Sequence, residues 1–308
     1  MSTALITHPA CLRHEPPPGH PERPARLQSI LSALEAEEFR PLLRKEAPET
    51  SLDALSRVHE RDYIEEVLAA IPTSGVVQFD ADTSVSPGSR EAILRAAGAL
   101  ILGVDTVIKG EAKNVFCAVR PPGHHALPAR AMGFCIFNNV AVGAAHARAE
   151  HGLGRVAVVD FDVHHGNGTE AMFFADPGLF YASTHQWPLY PGTGRPGEAR
   201  PDHIVDLPLA PGAGGAEFRR AFSDSLLPAL NRFRPEMVFI SAGFDAHQDD
   251  PLAQLRLVES DYFWATEQLC AAADRHCQGR VVSTLEGGYD LAALARSAKA
   301  HVQALMAA

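Results

Sequence analysis

Two aspartates and two histidines follow an apolar run in the segment VVDFDVHHGNGTE, residues 158–170. Asp160, Asp162 and His164 are spaced two residues apart, so in extended backbone their side chains point to one side of the chain. Two carboxylates and an imidazole are ligands suited to Zn²⁺, although divalent iron or cobalt would also fit. Asp245, in the segment GFDAH, could complete a three-ligand site that leaves a position for water. The alternative is a buried Asp–His hydrogen-bond network.

A second pair of histidines, His124 and His125, follows the rigid segment RPPG. A metal-bound water needs a neighbouring base that later acts as an acid, and an imidazole backed by a carboxylate can serve. Tyr289 follows Gly287 and Gly288, and its phenol could donate a hydrogen bond to a developing oxyanion. The alternatives are two exposed loop histidines and a tyrosine that only packs in the core.

Aromatic residues beside glycines form a third group. Gly133 and Phe134 in MGFCIFNN, and Tyr190 in WPLYPGTG, could wall an apolar channel, although such residues are also common in ordinary cores.

Short apolar runs of strand length lead into these polar residues. They are residues 114–119, 155–160, 179–184, 236–242 and 280–286. Because they are apolar throughout, they are typical of strands covered on both faces. The functional residues follow the carboxyl ends of these runs, which is where open parallel sheets place their sites. The sequence therefore predicts that several strand ends deliver His, Asp, Tyr and Gly into one crevice.

Segments with helical periodicity alternate with the strands. They are residues 21–39, 51–71, 86–110, 138–152, 216–230, 260–279 and 290–306. In the third segment, Ser86 is the expected N-cap, Pro87 takes the first helical position and Gly110 closes the helix. This alternation predicts an α/β fold with three layers, in which helices flank a mostly parallel, doubly wound sheet.

Composition limits the class of protein. The chain has 308 residues, of which 46% are hydrophobic and 21% charged, with a formal charge of −10. An acidic chain is a poor candidate for non-specific nucleic-acid binding, and no apolar run is long enough to cross a membrane. The five cysteines are odd in number and form no C-x-x-C, which favours reduced thiols. The N-terminus shows no signal-peptide pattern. We expect one cytoplasmic domain over residues 1–308, and a homo-oligomer is possible.

Several motifs, in order, carry a family resemblance: RPPGHHA, GFCIFNN, VVDFDVHHGNGTE, YPGTG, SAGFDAHQDDPL and LEGGYDL, with HPERPARL near the N-terminus. Together they resemble the superfamily of histone deacetylases, acetylpolyamine amidohydrolases and acetoin-utilisation proteins, in its bacterial class II-like branch. The resemblance spans roughly residues 5–300. It implies an arginase-like α/β fold with one catalytic Zn²⁺, held by Asp162, His164 and Asp245.

The resemblance also implies a role for each matching residue. His125 would be the general base and acid, and His124 its electrostatic companion. Asp160 would back His124, Asn167 would back His125, and Tyr289 would stabilise the oxyanion. The acyl-lysine tunnel would be lined by Gly133, Phe134, Tyr190, Leu252 and Gly287. A structural K⁺ would be held, partly through backbone carbonyls, by Asp160, Asp162, His164, Ser183 and Thr184. His165 has no implied role, and we expect it to make a structural hydrogen bond.

The implied reaction is metal-activated attack of water on an amide, which releases a carboxylate and a free amine. The expected substrate is acyl-lysine in proteins or peptides, because Leu252 at the expected gatekeeper position suits an apolar stem. An acetylpolyamine or another small acylated amine is the alternative, since Glu22, Asp80 or Asp82 could line the rim. A binuclear ureohydrolase and an inactive acyl-lysine binder are weaker alternatives. The first needs more carboxylate ligands than GFDAH offers, and the second needs a missing site residue.

Overall fold

A computed structural model describes residues 2–308 of the chain. Ten strands occur in it. They are β1 (Thr3–Thr7), β2 (Leu43–Glu46), β3 (Val77–Gln78), β4 (Ser84–Val85), β5 (Asn114–Cys117), β6 (Val156–Asp160), β7 (Leu179–Gln186), β8 (Ile204–Leu209), β9 (Met237–Ala242) and β10 (Val281–Leu285). Eight of them form one parallel sheet in the order β2-β1-β5-β10-β9-β6-β7-β8, while β3 and β4 form a separate antiparallel pair.

The five strands predicted from apolar runs are the contiguous centre of this sheet, β5-β10-β9-β6-β7. Three strands of the sheet were not predicted: the edge strands β2 and β8, and β1, which lies between β2 and β5 and is buried. The edge strand β2 reads LRKE and is largely exposed, and the edge strand β8 contains Asp206 and Pro208. Such strands need not be apolar on both faces, so they lack the signal of a buried strand. The predicted α/β class is confirmed.

Ten α-helices flank the sheet. They are α1 (Pro24–Ala33), α2 (Leu52–Leu55), α3 (Arg61–Ala69), α4 (Ser89–Ile108), α5 (Asn139–His151), α6 (Asn167–Phe173), α7 (Gly215–Ala221), α8 (Leu227–Phe233), α9 (Glu259–Cys277) and α10 (Leu291–Ala307). A π-helical turn over Phe222–Leu226 joins α7 to α8. The short helix α6 was not predicted, and α1 is shorter than the predicted segment 21–39.

The single helix predicted over residues 51–71 is wrong, because the chain breaks it into α2 and α3. Between them the ring of His59 is buried, with Nδ1 3.1 Å from the carbonyl of Leu127. Its Nε2 accepts the backbone N–H of Asn138 at 2.9 Å. These tertiary hydrogen bonds override the local helical periodicity.

Ser86 is not the N-cap of α4, which begins three residues later after Gly88. The Ser86 hydroxyl accepts the backbone N–H of Glu15 at 3.0 Å instead. Its carbonyl accepts the N–H of Ser89 at 2.9 Å, which closes a turn before the helix.

The carboxyl ends of the central strands meet in register. Asp160 at the end of β6 lies opposite Ser183 in β7 and Ser241 in β9. The loops that follow β5, β6, β9 and β10 therefore leave the sheet on the same side, at the carboxyl ends of the strands. No helix among residues 2–308 combines the length and apolarity needed to span a membrane. The single domain over residues 1–308 stays a prediction, and Met1 lies outside the described residues.

Candidate active site

The loop after β6 brings Asp162 and His164 against Asp245, which follows β9. His164 Nδ1 lies 3.0 Å from Asp162 Oδ1 and 3.1 Å from Asp245 Oδ2, and all three residues are buried. Their ligand atoms lie close enough together to hold a metal ion. Asp162 and His164, which are two positions apart in the sequence, thus contact Asp245, which lies 81 positions after His164.

The charges of this cluster fit a cation. Burial and the neighbouring charge of Asp162 raise the pKa of Asp245, because two buried carboxylates side by side resist ionisation. Although burial opposes it, Asp162 and Asp245 raise the pKa of His164 to about 10. A positive ion between the carboxylates would favour the ionised form of Asp245 and would replace the proton on His164. Two carboxylates and an imidazole are a ligand set that Zn²⁺ accepts.

Gly287 lets the backbone after β10 approach these carboxylates. Its N–H donates to Asp162 Oδ2 at 2.7 Å. A Cβ at this position would lie 2.0 Å from Asp245 Oδ2 and 2.5 Å from Asp162 Oδ2. Only glycine therefore leaves the two carboxylates facing the space where a metal would sit.

His124 and His125 lie on the loop after β5 with ring centroids 4.0 Å apart. His124 Nδ1 is 2.9 Å from Asp160 Oδ2, and His125 Nδ1 is 2.8 Å from Asn167 Oδ1. Burial disfavours the charged form of both rings. Asp160 and Asp162 nevertheless raise the pKa of His124 well above its usual value. Burial, His124 and His164 lower the pKa of His125 well below it.

Glu286 is a buried acid that the sequence analysis missed. Its Oε2 accepts the backbone N–H groups of Gly123 at 2.7 Å and of His124 at 3.2 Å. Its Oε1 accepts the hydroxyl of Ser241 at 3.1 Å. Burial raises the pKa of Glu286 to about 7. The position of Glu286 at the end of a buried strand, just before the glycine pair, was the available signal.

Arg26 on α1 was also missed, and it holds the loop that carries Tyr289. Arg26 donates from Nε to the carbonyl of Gly288 at 2.6 Å and from Nη2 to that of Glu286 at 2.5 Å. Its guanidinium lies 4.8 Å from the centre of the Tyr289 ring. Burial raises the pKa of the Tyr289 phenol well above its usual value, so the hydroxyl keeps its proton.

A cavity of about 220 Å³ opens onto His124, His125, His164 and Tyr289, and every tunnel residue named from the resemblance lines it. The lining residues are Asp82, Pro122, His124, His125, Gly133, Phe134, His164, Leu189, Tyr190, Leu252, Gly287 and Tyr289. The cavity is smaller than the roughly 300–1,000 Å³ of sites for drug-sized ligands, so it suits one slender group. A larger cavity of about 700 Å³ lies beside α5 and contains none of the predicted site residues.

Two residues of the tunnel wall have left-handed backbone. Gly133 has φ +57°, and a Cβ there would lie 2.4 Å from the ring of His125. Phe134 has φ +68°, which costs energy for a residue with a side chain. Its N–H donates to Thr83 Oγ1 at 3.0 Å, which anchors this conformation.

The three acids considered for the rim of the cavity lie at different places in the structure. Asp82 lines the cavity, while Asp80 is exposed and accepts the N–H of Thr83 at 2.7 Å in a turn. Glu22 as a rim residue is wrong, because it is buried behind the cavity floor. Its Oε2 accepts a hydrogen bond from Arg120 at 2.6 Å, and its Oε1 accepts one from Arg26 at 3.0 Å.

Two of the residues named for potassium, Asp162 and His164, belong to the candidate metal cluster, and the other three lie towards the carboxyl ends of the neighbouring strands β6 and β7. Asp160 accepts the N–H of Asp162 at 3.1 Å and pairs in register with Ser183. The Ser183 hydroxyl is 2.9 Å from Nδ1 of His185. The hydroxyl of Thr184 is buried and has no hydrogen-bond partner among residues 2–308. Potassium at this place stays a prediction.

His165 lies on the far side of the same loop. Its Nδ1 is 2.7 Å from the hydroxyl of Thr193, in the segment that also carries Tyr190. Its Nε2 faces Glu170 at 2.6 Å and Asp206 at 3.2 Å. The Nδ1 hydrogen bond therefore ties this buried ring to the wall of the cavity, while Nε2 faces the carboxylates of α6 and β8 without forming a hydrogen bond to them.

Comparison with known proteins gives the same fold and chemistry. The chain matches the model of the histone deacetylase domain over residues 20–305. A probable deacetylase of Archaeoglobus fulgidus is 36% identical over 298 residues, covering 94% of this chain and 82% of its own. The histone deacetylase-like amidohydrolase of Pseudomonas aeruginosa is 40% identical over 277 residues, covering 88% and 73%.

Two further matches extend this picture. The polyamine deacetylase of Homo sapiens is 38% identical over 331 residues, covering 99% of this chain and 48% of its own. The crystal structure of the HDA15 HD domain has a TM-score of 0.93 at 35% identity, covering 99% of this chain and 88% of its own. The resemblance and the arginase/deacetylase-like fold are confirmed. The chain belongs to the histone deacetylase family and is a hydrolase that acts on amide bonds.

Proposed function

We propose that this hydrolase removes acetyl or other acyl groups from the ε-amine of acyl-lysine in proteins or peptides. The observation that carries the proposal is the 220 Å³ cavity. Phe134, Tyr190 and Leu252 give it apolar walls, while two histidines and a tyrosine lie at its floor. Such walls suit the methylene stem of lysine, and the floor suits the amide.

Zn²⁺, when bound by Asp162, His164 and Asp245, would supply Lewis-acid polarisation of the amide carbonyl and of a water molecule. The chain's own residues orient these ligands. Asp162 Oδ1 accepts the N–H of His164 at 2.8 Å, and Asp245 Oδ1 accepts that of Val163 at 2.9 Å. Gly287 holds the other oxygen of Asp162. These hydrogen bonds position the ligands before the metal arrives.

Proton transfer falls to His125. Because the amide oxygen of Asn167 only accepts, Nδ1 of His125 carries the hydrogen and Nε2 is left free as a base. The lowered pKa keeps this ring neutral and ready to take a proton from water. His124, held by Asp160, stays positively charged beside it. The pair thus divides into a base and a fixed cation. Protonated His125 then gives its proton to the leaving amine.

Tyr289 donates its phenol proton as a hydrogen bond to the oxygen on which negative charge develops. Its high pKa keeps the proton in place, and Arg26 fixes the loop beneath it. The products are a carboxylate and the free amine of lysine.

A substrate panel with the zinc-loaded protein tests this function. It should contain acetyl-, longer acyl- and trifluoroacetyl-lysine peptides together with acetylated spermidine and putrescine. We expect the highest kcat/KM for an acyl-lysine peptide, and a loss of about 10²-fold or more in Tyr289→Phe. Inactivity on the whole panel with zinc bound would reject the proposal.

One observation favours a small acylated amine as the second candidate substrate. The carboxylate of Asp82 lies at the cavity, where it could meet a second ammonium group. A relative named as a polyamine deacetylase is 38% identical. A higher kcat/KM for acetylspermidine than for every peptide would select this candidate, and Asp82→Asn should then reduce that preference.

A further inference from the structure

A cluster of two histidines and an aspartate lies outside the cavity, between α4 and α5. Asp105 Oδ1 is 2.8 Å from Nε2 of His146 and 2.7 Å from Nε2 of His151. The two imidazole rings have centroids 5.4 Å apart. The three ligand atoms converge closely enough for a metal ion, and the cluster shares no residue with the active site.

We propose that Asp105, His146 and His151 form a second divalent metal site, for Zn²⁺, which joins α4 to α5. Two imidazoles and one carboxylate are borderline ligands of the kind that zinc binds well. The side chains of Asp105, His146 and His151 are 28%, 12% and 20% exposed. An ion can therefore enter from solvent, and water can complete its coordination.

The helix ends favour positive charge at this place. Asp105 lies in the last turn of α4, which ends at Ile108, and His151 is the last residue of α5. The final turn of a helix carries partial negative charge on its unpaired carbonyl groups. Two such ends, together with the Asp105 carboxylate, make the cluster attractive to a cation.

The neighbouring basic side chains contact other atoms than the three ligand atoms, which are Oδ1 of Asp105 and Nε2 of His146 and His151. Lys109 lies 3.7 Å from Oδ2 of Asp105, which is the oxygen turned away from the histidines. Arg57 approaches only Nδ1 of His146, at 3.5 Å, and forms an ion pair with Glu150. Neither cation occupies the space between Nε2, Nε2 and Oδ1.

The buried cluster of His165, Glu170 and Asp206 is a useful contrast. Arg200 Nε lies 2.8 Å from Oε1 of Glu170 and 3.0 Å from Oδ2 of Asp206. Arg200 thus already balances part of the negative charge of both carboxylates there, whereas Lys109 stays 3.7 Å from Asp105.

Zinc counting on the full-length protein tests the proposal. The metal-stripped chain is saturated with Zn²⁺ at neutral pH and desalted, and bound zinc is measured by mass spectrometry. We expect two ions per chain in the wild type and one in His146→Gln and in His151→Gln. His276→Gln is the matched control, because this histidine lies on α9 with only Asn231 beside Nε2 at 2.9 Å. It should keep two.

Thermal unfolding provides the second readout. The second equivalent of zinc should raise the Tm of the wild type and leave that of His151→Gln unchanged, because only the wild type can link α4 to α5. Hydrolysis of an acetyl-lysine peptide should be the same in both proteins. If a glutamine variant fails to fold, Asp105→Asn preserves the shape of the cluster while removing its charge.

A single zinc ion in the wild type would overturn the proposal. So would a second ion that persists in both histidine variants, since it would then be bound elsewhere, for example in a binuclear active site. The count does not require turnover, so its result stands even if the acyl-lysine substrate assignment fails.

Discussion

The carboxylate of Asp250 accepts the backbone N–H of Tyr289 at 2.7 Å, across the junction between two loops. Its other oxygen accepts the N–H of Leu252 at 3.0 Å. One buried acid therefore links the rim of the cavity to the phenol at its floor. In the sequence, Asp250 lies in the polar run QDD, where an acid has the pattern of an ordinary loop residue.

Asp250→Asn should lower kcat on an acetyl-lysine peptide about tenfold, with a smaller change in KM. Burial raises the pKa of Asp250 to about 7, so its carboxylate is partly charged near neutral pH. The neutral amide of asparagine is a weaker acceptor for the hydrogen bonds that place Tyr289, and a loss of about 1.4 kcal/mol corresponds to this factor. Steady-state kinetics provides the measurement. The control is Asp249→Asn, since Asp249 is exposed and pairs with Arg296 at 3.1 Å. Equal kcat values for the two variants would mean that Asp250 does not position Tyr289.

Asn167→Asp should move the acidic limb of the kcat/KM profile to higher pH, by about one unit. A carboxylate in place of the amide oxygen, 2.8 Å from Nδ1, stabilises protonated His125 and raises its pKa. The base is then lost to protonation at a higher pH. Profiles for wild type and variant between about pH 5 and pH 9 make the comparison. The surface change Asn231→Asp should leave the limb in place. An unmoved limb in Asn167→Asp would assign it to a group other than His125.

Gly287→Ala should reduce the zinc content of the site formed by Asp162, His164 and Asp245. The added methyl would collide with both carboxylates, so they must turn away from each other and from the metal. Competition with a chelator of known affinity should show zinc binding weakened about tenfold or more. Gly154→Ala is the matched change, because its Cβ would meet its nearest neighbour at 3.3 Å. Wild-type zinc affinity in Gly287→Ala would show that the loop can move aside.

Leu252→Glu should shift specificity towards acetylated polyamines, raising the ratio of kcat/KM for acetylspermidine over peptide about tenfold. Leu252 lines the cavity and is 37% exposed, so a carboxylate there stays hydrated and can meet a second ammonium group. Leu252→Gln separates charge from shape and should shift the ratio much less. Equal shifts in the two variants would exclude an electrostatic cause.

We expect the buried residue His301 to lower the free energy of unfolding in mild acid. It is buried between α10, α9 and β10, with Nδ1 2.6 Å from the Thr266 hydroxyl and Nε2 2.8 Å from the Ser283 hydroxyl. Burial lowers its pKa to about 3, so the folded protein keeps this ring neutral. The unfolded chain takes up the proton near pH 6.5, so this stabilisation is complete above pH 6.5 and declines towards pH 3.

Between about pH 7.5 and pH 5.5, His301 should contribute about 1.4 kcal/mol to the loss of unfolding free energy. Urea unfolding of wild type and His301→Gln at the two pH values measures this contribution as the difference between the two losses. His276→Gln, at a surface histidine, serves as the control. Identical pH dependence in wild type and His301→Gln would contradict the assignment.

The sequence by itself determined the centre of the fold. A strand covered by helices on both faces is mostly apolar rather than alternating, and β5, β6, β7, β9 and β10 each carry such an apolar run. The edge strands escaped because exposure relaxes this requirement. The same logic indicated the candidate site, since polar residues directly after buried strands face one crevice in a parallel sheet. The order of the motifs then indicated the family, which the comparisons confirmed.

Only the tertiary structure decided which side chains meet. Asp162 and His164 are neighbours in the chain, but Asp245, Glu286 and Arg26 reach the site from other loops and from α1. The local sequence does not determine the distances between such residues, because these distances depend on the register of the strands and the packing of the helices. Burial is likewise a property of the folded molecule. It opposes charge on both His124 and His125, and the carboxylates of Asp160 and Asp162 raise the pKa of His124 in spite of it. Glu22 is buried beneath the site rather than exposed at its rim.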